Sequence, residues 1–355
     1  MTIPLFISTI VVFIFFCFNF LPLYGTKRWG VKSPVLTFII SLYLIVASVF
    51  SPIGGDKERY IEAFKNASFL EYSKDPGWTI LTKVLNVACF NNEILYLFVL
   101  AFVYVFSYYY IGKCKLGKQY VAYYMLLAAG CMGFWSGSTN IMRAGFATSL
   151  FFLSLCVVEK KKAIYIALSI CAIFVHNSVL VLVAAFFLTK YYTNFKVYVW
   201  IWLAFLALSS VNALNPLVSF LSSHTGEVGD RIAEYAYDID ESAADLYRNT
   251  GFRIDFILYS ALAIIYARWI IFKQRYNDIF YKRLSCTYIL VNCLWLVMIR
   301  VPYADRFALL SWSLISLIIL YPYMNPYNRL PFNKKVITVA FIPVVLEFVL
   351  MMRNL

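Results

Sequence analysis

The stretch ILYLFVLAFVYVFSYYYIGKCKLGK, residues 94–118, joins an apolar segment to a basic connection. No charged residue interrupts it before Lys113, and Lys115 and Lys118 follow closely. A helix needs about 20 predominantly apolar residues to cross the hydrocarbon core of a bilayer. Cytoplasmic connections of membrane proteins carry an excess of lysine and arginine. The stretch therefore predicts a transmembrane helix that ends at the cytoplasmic face.

The rest of the chain repeats this alternation of apolar segments and basic connections. Of the 31 Lys and Arg residues in the 355-residue chain, 18 lie in six connections that fall in every second gap between apolar segments. Only two acidic residues share these gaps, Glu159 and Asp278. The pattern predicts a multi-pass membrane protein with both termini and most acidic residues outside the cytoplasm. The basic connections cover residues 27–32, 113–118, 160–162, 190–196, 273–283 and 329–335.

Composition agrees with a membrane protein and argues against a nucleic-acid-binding one. Hydrophobic residues make up 62% of the chain and charged residues 14%, which is too apolar for a soluble domain. The basic connections account for the net charge of +13, so no nucleic-acid partner is required. None of the eight cysteines forms a pair at metal-ligand spacing, and we expect neither a metal nor a cofactor.

Segment lengths predict an all-α polytopic protein of about 12 transmembrane helices, within a range of about 11–13, in a single integral-membrane domain covering residues 1–355. The segment from Trp78 to Phe90 is too short to cross and predicts a half-helix on or in the membrane. Two outer loops, about 51–93 and 214–251, each predict a short amphipathic helix. The predicted spans are 4–23, 34–51, 94–112, 119–138, 141–158, 163–176, 177–189, 197–213, 252–272, 284–299, 304–322 and 336–352.

The first outer loop contains Gly54-Gly55-Asp56, followed one helical turn later by Arg59 and Tyr60. This spacing suits a carboxylate held in a pocket at the membrane edge. Asp56 also fits the N-cap of a helix that begins near Lys57, because Asp is a favoured capping residue and Gly suits the preceding turn. The two interpretations are compatible. Tyr60 and Trp78 are placed where a sugar ring can stack.

Arg143 opens an apolar segment directly after Ser136-Gly137-Ser138-Thr139-Asn140. An arginine at the membrane border needs a partner or access to water. A guanidinium group matches phosphate oxygens in bidentate fashion, so Arg143 is a candidate phosphate ligand. The alternative is that its side chain reaches out to lipid headgroups.

Arg300, Asp305 and Arg306 form a second outer cluster, in a short turn between two predicted spans. Two arginines here depart from the positive-inside trend, which indicates an anionic partner. That partner is either a substrate phosphate or Asp305 itself in an ion pair. Arg253 and Asp255 form a similar candidate pair, for which the ion-pair interpretation is stronger.

Two further features of the outer face have both a functional and a structural interpretation. His176 ends an apolar run and precedes Asn177-Ser178, which fits either a hydrogen-bonded structural histidine or a substrate contact. Asp238-Ile239-Asp240 spells a metal-binding pattern of sugar-nucleotide transferases. It lies in the amphipathic run 231–246, where a solvated helix face explains it better.

The order of these motifs resembles the EpsG/Wzy-type bacterial polysaccharide polymerases. The ordered motifs are Gly-Gly-Asp-x-x-x-Tyr at 54–60, Asp-Pro-Gly-Trp at 75–78, the arginine of Asn140-Ile141-Met142-Arg143, and His176-Asn177-Ser178. The resemblance covers roughly residues 45–190 and implies a glycosyltransferase-C-like membrane fold. It gives candidate site status to Asp56, Asp75, Arg143 and His176. Arg300 and Arg306 rest on the charge argument alone.

The resemblance implies an enzyme that polymerises oligosaccharide repeats carried on undecaprenyl diphosphate, at the outer face of the bacterial inner membrane. Donor and acceptor are then both lipid-linked, and a chain-length regulator is a further possible partner. Arginines would neutralise the departing diphosphate. A carboxylate would accept the proton of the attacking hydroxyl, giving inversion at the anomeric carbon. Asp56 is the first candidate for this base, and Asp75 and His176 are the next.

Three other functions are compatible with a polytopic chain. A flippase would place ionisable residues at the midplane and often shows an internal repeat, whereas here the charges cluster at one face. An O-acetyltransferase would need a histidine reachable from the cytoplasm, and His176 is predicted outside. An O-antigen ligase is closer in chemistry, although this chain divides its outer mass between two moderate loops.

Overall fold

All regular structure in the described part of the chain is helical. The computed structural model describes residues 34–52, 56–70, 75–214, 216, 252–300, 304–331 and 342–346, and no strand occurs in these ranges. The helices are α1 (Pro34–Val49), α2 (Asp56–Lys65), α3 (Pro76–Ala88), α4 (Glu93–Lys115), α5 (Val121–Ala129), α6 (Met142–Val157), α7 (Lys162–Val175), α8 (Val179–Leu188), α9 (Phe195–Ser210), α10 (Ile254–Arg268), α11 (Ile279–Met298), α12 (Asp305–Trp312) and α13 (Ile315–Met324).

Three helical segments in the described residues are long and apolar enough to cross a membrane. They are Glu93–Lys115, Ile254–Lys273 and Arg306–Met324. Five shorter apolar helices accompany them: α1, α6, α7, α8 and α9. The all-α membrane fold is therefore confirmed in this part of the chain. The predicted first span 4–23, the amphipathic run 231–246 and most of the predicted span 336–352 lie outside the described residues.

Many helix boundaries follow the apolar segments closely, although α11 begins five residues before the predicted span 284–299 and the predicted span 304–322 is divided into α12 and α13. The predicted spans 94–112, 141–158 and 163–176 match α4, α6 and α7 to within three residues. The predicted span 119–138 is broken instead. Helix α5 ends at Ala129, Gly133 has a φ of 98°, and a π-helical turn then covers Ser136–Asn140. A positive φ is readily adopted only by glycine, so the helix stops where glycine permits a turn.

The chain divides into two compact units. One comprises the residues up to Val183 together with those from Ser313 onward, and the other comprises Ala184–Trp312. The single domain predicted for residues 1–355 stays a prediction. Within the first unit, α4 lies against α1, α5 and α6, and α7 packs along α6. All candidate residues from Asp56 to His176 belong to this unit.

In the second unit, α11 packs against α9, α10 and α12. The fully buried Asn292 of α11 connects these helices. Its Oδ1 accepts a hydrogen bond from Trp202 Nε1 at 2.7 Å, and its Nδ2 donates to Ser260 Oγ and Ser311 Oγ, both at 3.1 Å. Hydrogen bonds of this kind hold helices together where lipid supplies no hydrophobic driving force.

Candidate functional site

The carboxylate of Asp75 is the centre of the candidate site. Its side chain is 0% exposed, and Arg143 Nη1 lies 3.0 Å from its Oδ2. His176 Nδ1 also lies 3.0 Å from Oδ2, and the main-chain N–H of Asn177 donates to Oδ1 at 3.1 Å. A buried carboxylate is costly unless charge and hydrogen bonds compensate it. Three groups from two other segments meet this requirement.

Asp75 directly precedes α3 but does not use its side chain to cap that helix. Its main-chain oxygen bonds into α3, accepting from Trp78 N at 3.0 Å and Thr79 N at 3.3 Å. Pro76 at the first helical position has no N–H to satisfy. The carboxylate is therefore available for residues outside its own helix.

Helices α6 and α7 bring Arg143 and His176 to the same level. The two helices pack along each other and are joined by a short turn containing Lys160 and Lys161. At 1.5 Å per residue they rise about 24 Å and about 21 Å from this turn. Arg143 lies at the start of α6 and His176 just after the end of α7. Both residues thus lie at the ends of these helices that are far from the basic turn.

Two glycines allow the backbones around Asp75 to approach closely. A Cβ atom at Gly77 would lie 2.5 Å from the carbonyl oxygen of Phe174 in α7. A Cβ atom at Gly145 would lie 2.0 Å from the carbonyl oxygen of Gly137 in the π-helical turn. Any larger residue would separate these segments. The glycines therefore hold α3 against α7, and α6 against the π-helical turn, in the first unit.

Arg143 is the most accessible member of the cluster. Its side chain is 27% exposed, compared with 10% for His176 and 0% for Asp75. Its Nε is buried and has no hydrogen-bond partner among the described residues. Guanidinium carries five N–H donors, and the ion pair with Asp75 involves Nη1. Arg143 is therefore fixed by Asp75 and retains donors for an anion.

An aromatic row borders this cluster. The rings of Tyr60 and Trp78 meet edge to face at 5.4 Å between centroids, and Trp78 meets Phe146 in the same way at 6.2 Å. Phe146 lies one helical turn after Arg143. The row links the surface helix α2 to α3 and α6. Trp78 is buried and Tyr60 is half-buried. Of the two rings, Tyr60 is therefore the more accessible for stacking against a sugar.

Asp56 lies at the start of α2 and forms an ion pair with Arg59 of the same helix. Arg59 Nη1 lies 3.9 Å from Asp56 Oδ1, and the Arg59 side chain is 84% exposed. A 3.9 Å ion pair with so exposed an arginine contributes little to stability. The choice of Asp56 as the first candidate base stays a prediction.

Lys57, which the sequence did not identify as a candidate, is buried and forms several hydrogen bonds. Its side chain is 1% exposed, and Nζ donates to the carbonyl oxygens of Val49 at 2.9 Å and Ser51 at 2.8 Å. It also reaches Ser48 O at 3.3 Å and Ser51 Oγ at 2.8 Å. These carbonyls lie at and just beyond the carboxyl-terminal end of α1, where a cation is favoured. Burial lowers the pKa of Lys57 from 10.5 to about 8.

The remaining candidates belong to the second unit. The structure shows side-chain contacts for two of them, Arg253 and Arg300. Arg253 pairs with Asp255 in bidentate fashion, with Nε 2.9 Å from Oδ1 and Nη2 2.7 Å from Oδ2. The ion-pair interpretation of this pair is therefore confirmed. Arg300 Nη2 donates to Ser210 O at 3.1 Å, at the carbonyl end of α9. The carbonyl end of a helix carries partial negative charge and favours a cation there, and phosphate binding by Arg300 stays a prediction.

Arg306 and Asp305 both lie in the first turn of α12. Arg306 is half-buried. The Asp305 side chain lies outside what the structure describes. The predicted pairing of Asp305 with an arginine therefore stays a prediction, as does phosphate binding by Arg306.

The chain matches a known protein family over most of its length. The model of the EpsG family matches residues 32–355. The chain belongs to the EpsG family. This match extends the resemblance beyond residues 45–190 and confirms it. No curated protein and no solved structure matches the chain. EpsG membership, together with the apolar helices, supports a membrane protein with a role in polysaccharide polymerisation.

Proposed function

We propose that this EpsG-family chain joins oligosaccharide repeat units, each carried on undecaprenyl diphosphate, into O-antigen or exopolysaccharide. The reaction takes place at the extracytoplasmic face of the bacterial inner membrane. The observation that carries the proposal is the Asp75 cluster, where a buried carboxylate fixes a partly exposed arginine and a histidine side by side. Family membership supplies the class of reaction.

The proposed reaction is an inverting glycosyl transfer. A hydroxyl oxygen of the acceptor repeat forms a bond to the anomeric carbon of the donor, and the bond from that carbon to the diphosphate oxygen breaks. The electron pair leaves with undecaprenyl diphosphate. Arg143 stabilises the charge that develops on this leaving group, because preorganised positive charge acts best where charge appears.

His176 is the proposed general base. When its Nδ1–H donates to Asp75, the lone pair of the ring lies on Nε2. Nε2 then accepts the proton of the attacking hydroxyl, and the released diphosphate or water takes it up afterwards. Asp75 acts as a positioning residue, since its oxygens already bind Arg143, His176 and Asn177. Asp56 is the alternative base.

Two matched substitutions distinguish the bases. We expect His176→Gln to lower the rate of polymerisation by about 10² or more, the usual contribution of a general base. Asp56→Asn should stay within a few-fold of the parent. The measurement uses purified enzyme, reconstituted in vesicles with purified lipid-linked repeats, and follows the ladder of products by gel electrophoresis. The exposed Lys161→Ala is the control. The opposite ranking of the two variants would make Asp56 the base.

Cells that lack this protein separate polymerisation from the alternative functions. A polymerase defect leaves surface polysaccharide with one repeat per molecule. Loss of a flippase or a ligase leaves no repeat attached at the surface. Chemical analysis of the surface polysaccharide therefore tests the class of function independently of any single residue.

A further inference from the structure

Helices α1 and α4 border a second feature of the first unit, an apolar groove that the proposed reaction does not use. Its volume is about 710 Å³, within the range of ligand pockets in proteins. Its walls are largely aromatic and aliphatic, and polar side chains gather at one end. The residues that matter here are Phe38, Ile45, Phe102 and Phe106 on the walls, and Lys118 and Gln119 at the polar end.

The groove lies toward the basic end of α4. At the other end of this helix, Glu93 pairs with Lys65 of α2 at 2.6 Å. That end therefore faces the surface helix that borders the candidate site, while Lys118 follows the opposite end. By the positive-inside rule, the end with Lys118 is cytoplasmic. The groove consequently opens toward the inner leaflet.

The length of the groove matches one leaflet. Its lining begins at Pro34 of α1 and reaches Ile45, which is about 16 Å along a helix. Half of a hydrocarbon core is about 15 Å thick. A single acyl chain inserted from the inner surface would therefore fill the groove along its length.

Charge at the mouth distinguishes this groove from a merely apolar one. The Lys113 ammonium lies over the ring of Tyr109, 5.8 Å from its centroid, and Lys115 pairs with Glu159 at 3.3 Å. Lys118 has no acidic partner among the described residues and lines the groove itself. A cation at the cytoplasmic mouth of a groove between helices is suited to an anionic headgroup.

We propose that this groove binds one anionic phospholipid of the inner leaflet. The phosphate lies at Lys118 and Gln119, and an acyl chain lies along Phe38, Phe102 and Phe106. The bound lipid joins α1 to α4. This site is separate from the polymerisation site, so either proposal can fail while the other holds.

The test measures which lipid the purified protein retains. The full-length chain is reconstituted in vesicles of phosphatidylethanolamine with one quarter phosphatidylglycerol, extracted in mild detergent and examined by native mass spectrometry. We expect wild type to retain phosphatidylglycerol in preference to phosphatidylethanolamine. Lys118→Glu should lower this retention about fivefold or more, the effect of one basic residue at an anionic surface.

Two further variants keep the result interpretable. Lys161→Glu makes the same charge change at an exposed position of the same face, outside the groove, and should retain the lipid as wild type does. Ser41→Phe narrows the groove without changing charge and should also lose the lipid. Equal retention by wild type and Lys118→Glu, equal retention of both lipids, or no retained lipid would each overturn the proposal.

Discussion

At the level of single residues, the Asp75 carboxylate connects the groups to which we assign the reaction. It is fully buried, yet it binds a cation, an imidazole and a main-chain amide. Removing one partner of a buried ion pair lowers stability by more than the intact pair contributes, because the remaining charge is left without compensation. Each member of the cluster therefore depends on the other two, and substitutions in it should not be additive.

Asp75→Asn tests the positioning role. Asparagine keeps the shape but removes the negative charge, so Arg143 loses its ion pair and the His176 tautomer is no longer fixed. We expect polymerisation to fall at least tenfold, within the usual range for disturbing a general base, while the protein remains in the membrane. A double-mutant cycle with His176→Gln should give less than the product of the two effects. Independent effects would exclude action through His176.

Arg143→Lys tests recognition by the guanidinium fork. Lysine keeps the charge, but a single ammonium replaces the planar fork that can face Asp75 and phosphate oxygens together. We expect Arg143→Ala to abolish polymerisation and Arg143→Lys to restore only part of it, measured as kcat/KM for the lipid-linked donor. Wild-type activity of Arg143→Lys would show that charge alone is sufficient at this position.

At the level of helices, the surface helix α2 is positioned by one buried lysine. Lys57 binds carbonyls at the carboxyl-terminal end of α1, and one turn later Tyr60 contacts Trp78. Lys65 at the other end of α2 is 52% exposed in its pair with Glu93. The buried contacts should therefore contribute more to stability than the exposed pair.

Lys57→Met should destabilise the protein by about 2 kcal/mol, because the buried carbonyl oxygens of Val49 and Ser51 lose their hydrogen-bond donor. Lys65→Met is the control on the same helix and should have little effect. Burial lowers the pKa of Lys57 in the folded protein to about 8, compared with an ordinary value of 10.5. Between these values the unfolded state binds more protons, so wild type should gain stability over Lys57→Met as pH rises. Thermal unfolding in detergent at pH 7 and pH 10 measures both effects.

At the level of the whole molecule, every functional argument depends on which face carries the Asp75 cluster. The charge pattern predicts that α2 lies outside and that the turn between α6 and α7 lies inside. Both positions offer exposed reporters, Arg59 at 84% side-chain exposure and the exposed Lys161. Lys57 is unsuitable for labelling because it is buried.

In a background without the eight native cysteines, Arg59→Cys should react with a membrane-impermeant maleimide in whole cells. Lys161→Cys should react only after the membrane is opened. Because both side chains are exposed, a difference between them reports the face of the membrane and not local burial. Labelling of Lys161→Cys from outside would reverse the orientation and remove the extracytoplasmic reaction.

Local patterns in the sequence were sufficient to predict the class of fold, many helix boundaries and the family. These properties depend on local patterns, because each apolar run must be buried in lipid or protein and ends where charged or turn residues follow. The sequence also identified Asp75, Arg143 and His176 as candidates, through motif order. It did not show that they meet.

Helix packing, which local patterns do not encode, brings three of the candidates together. Asp75 and His176 are 101 residues apart, and their contact depends on the packing of α3 against α7 at Gly77. In the loop where the sequence favoured Asp56, the structure shows that Lys57 is buried. It also shows that the predicted span 119–138 is not one continuous helix. Helix contacts and buried charge pairs depend on segments that are distant in the chain, and a local pattern carries no information about that distance.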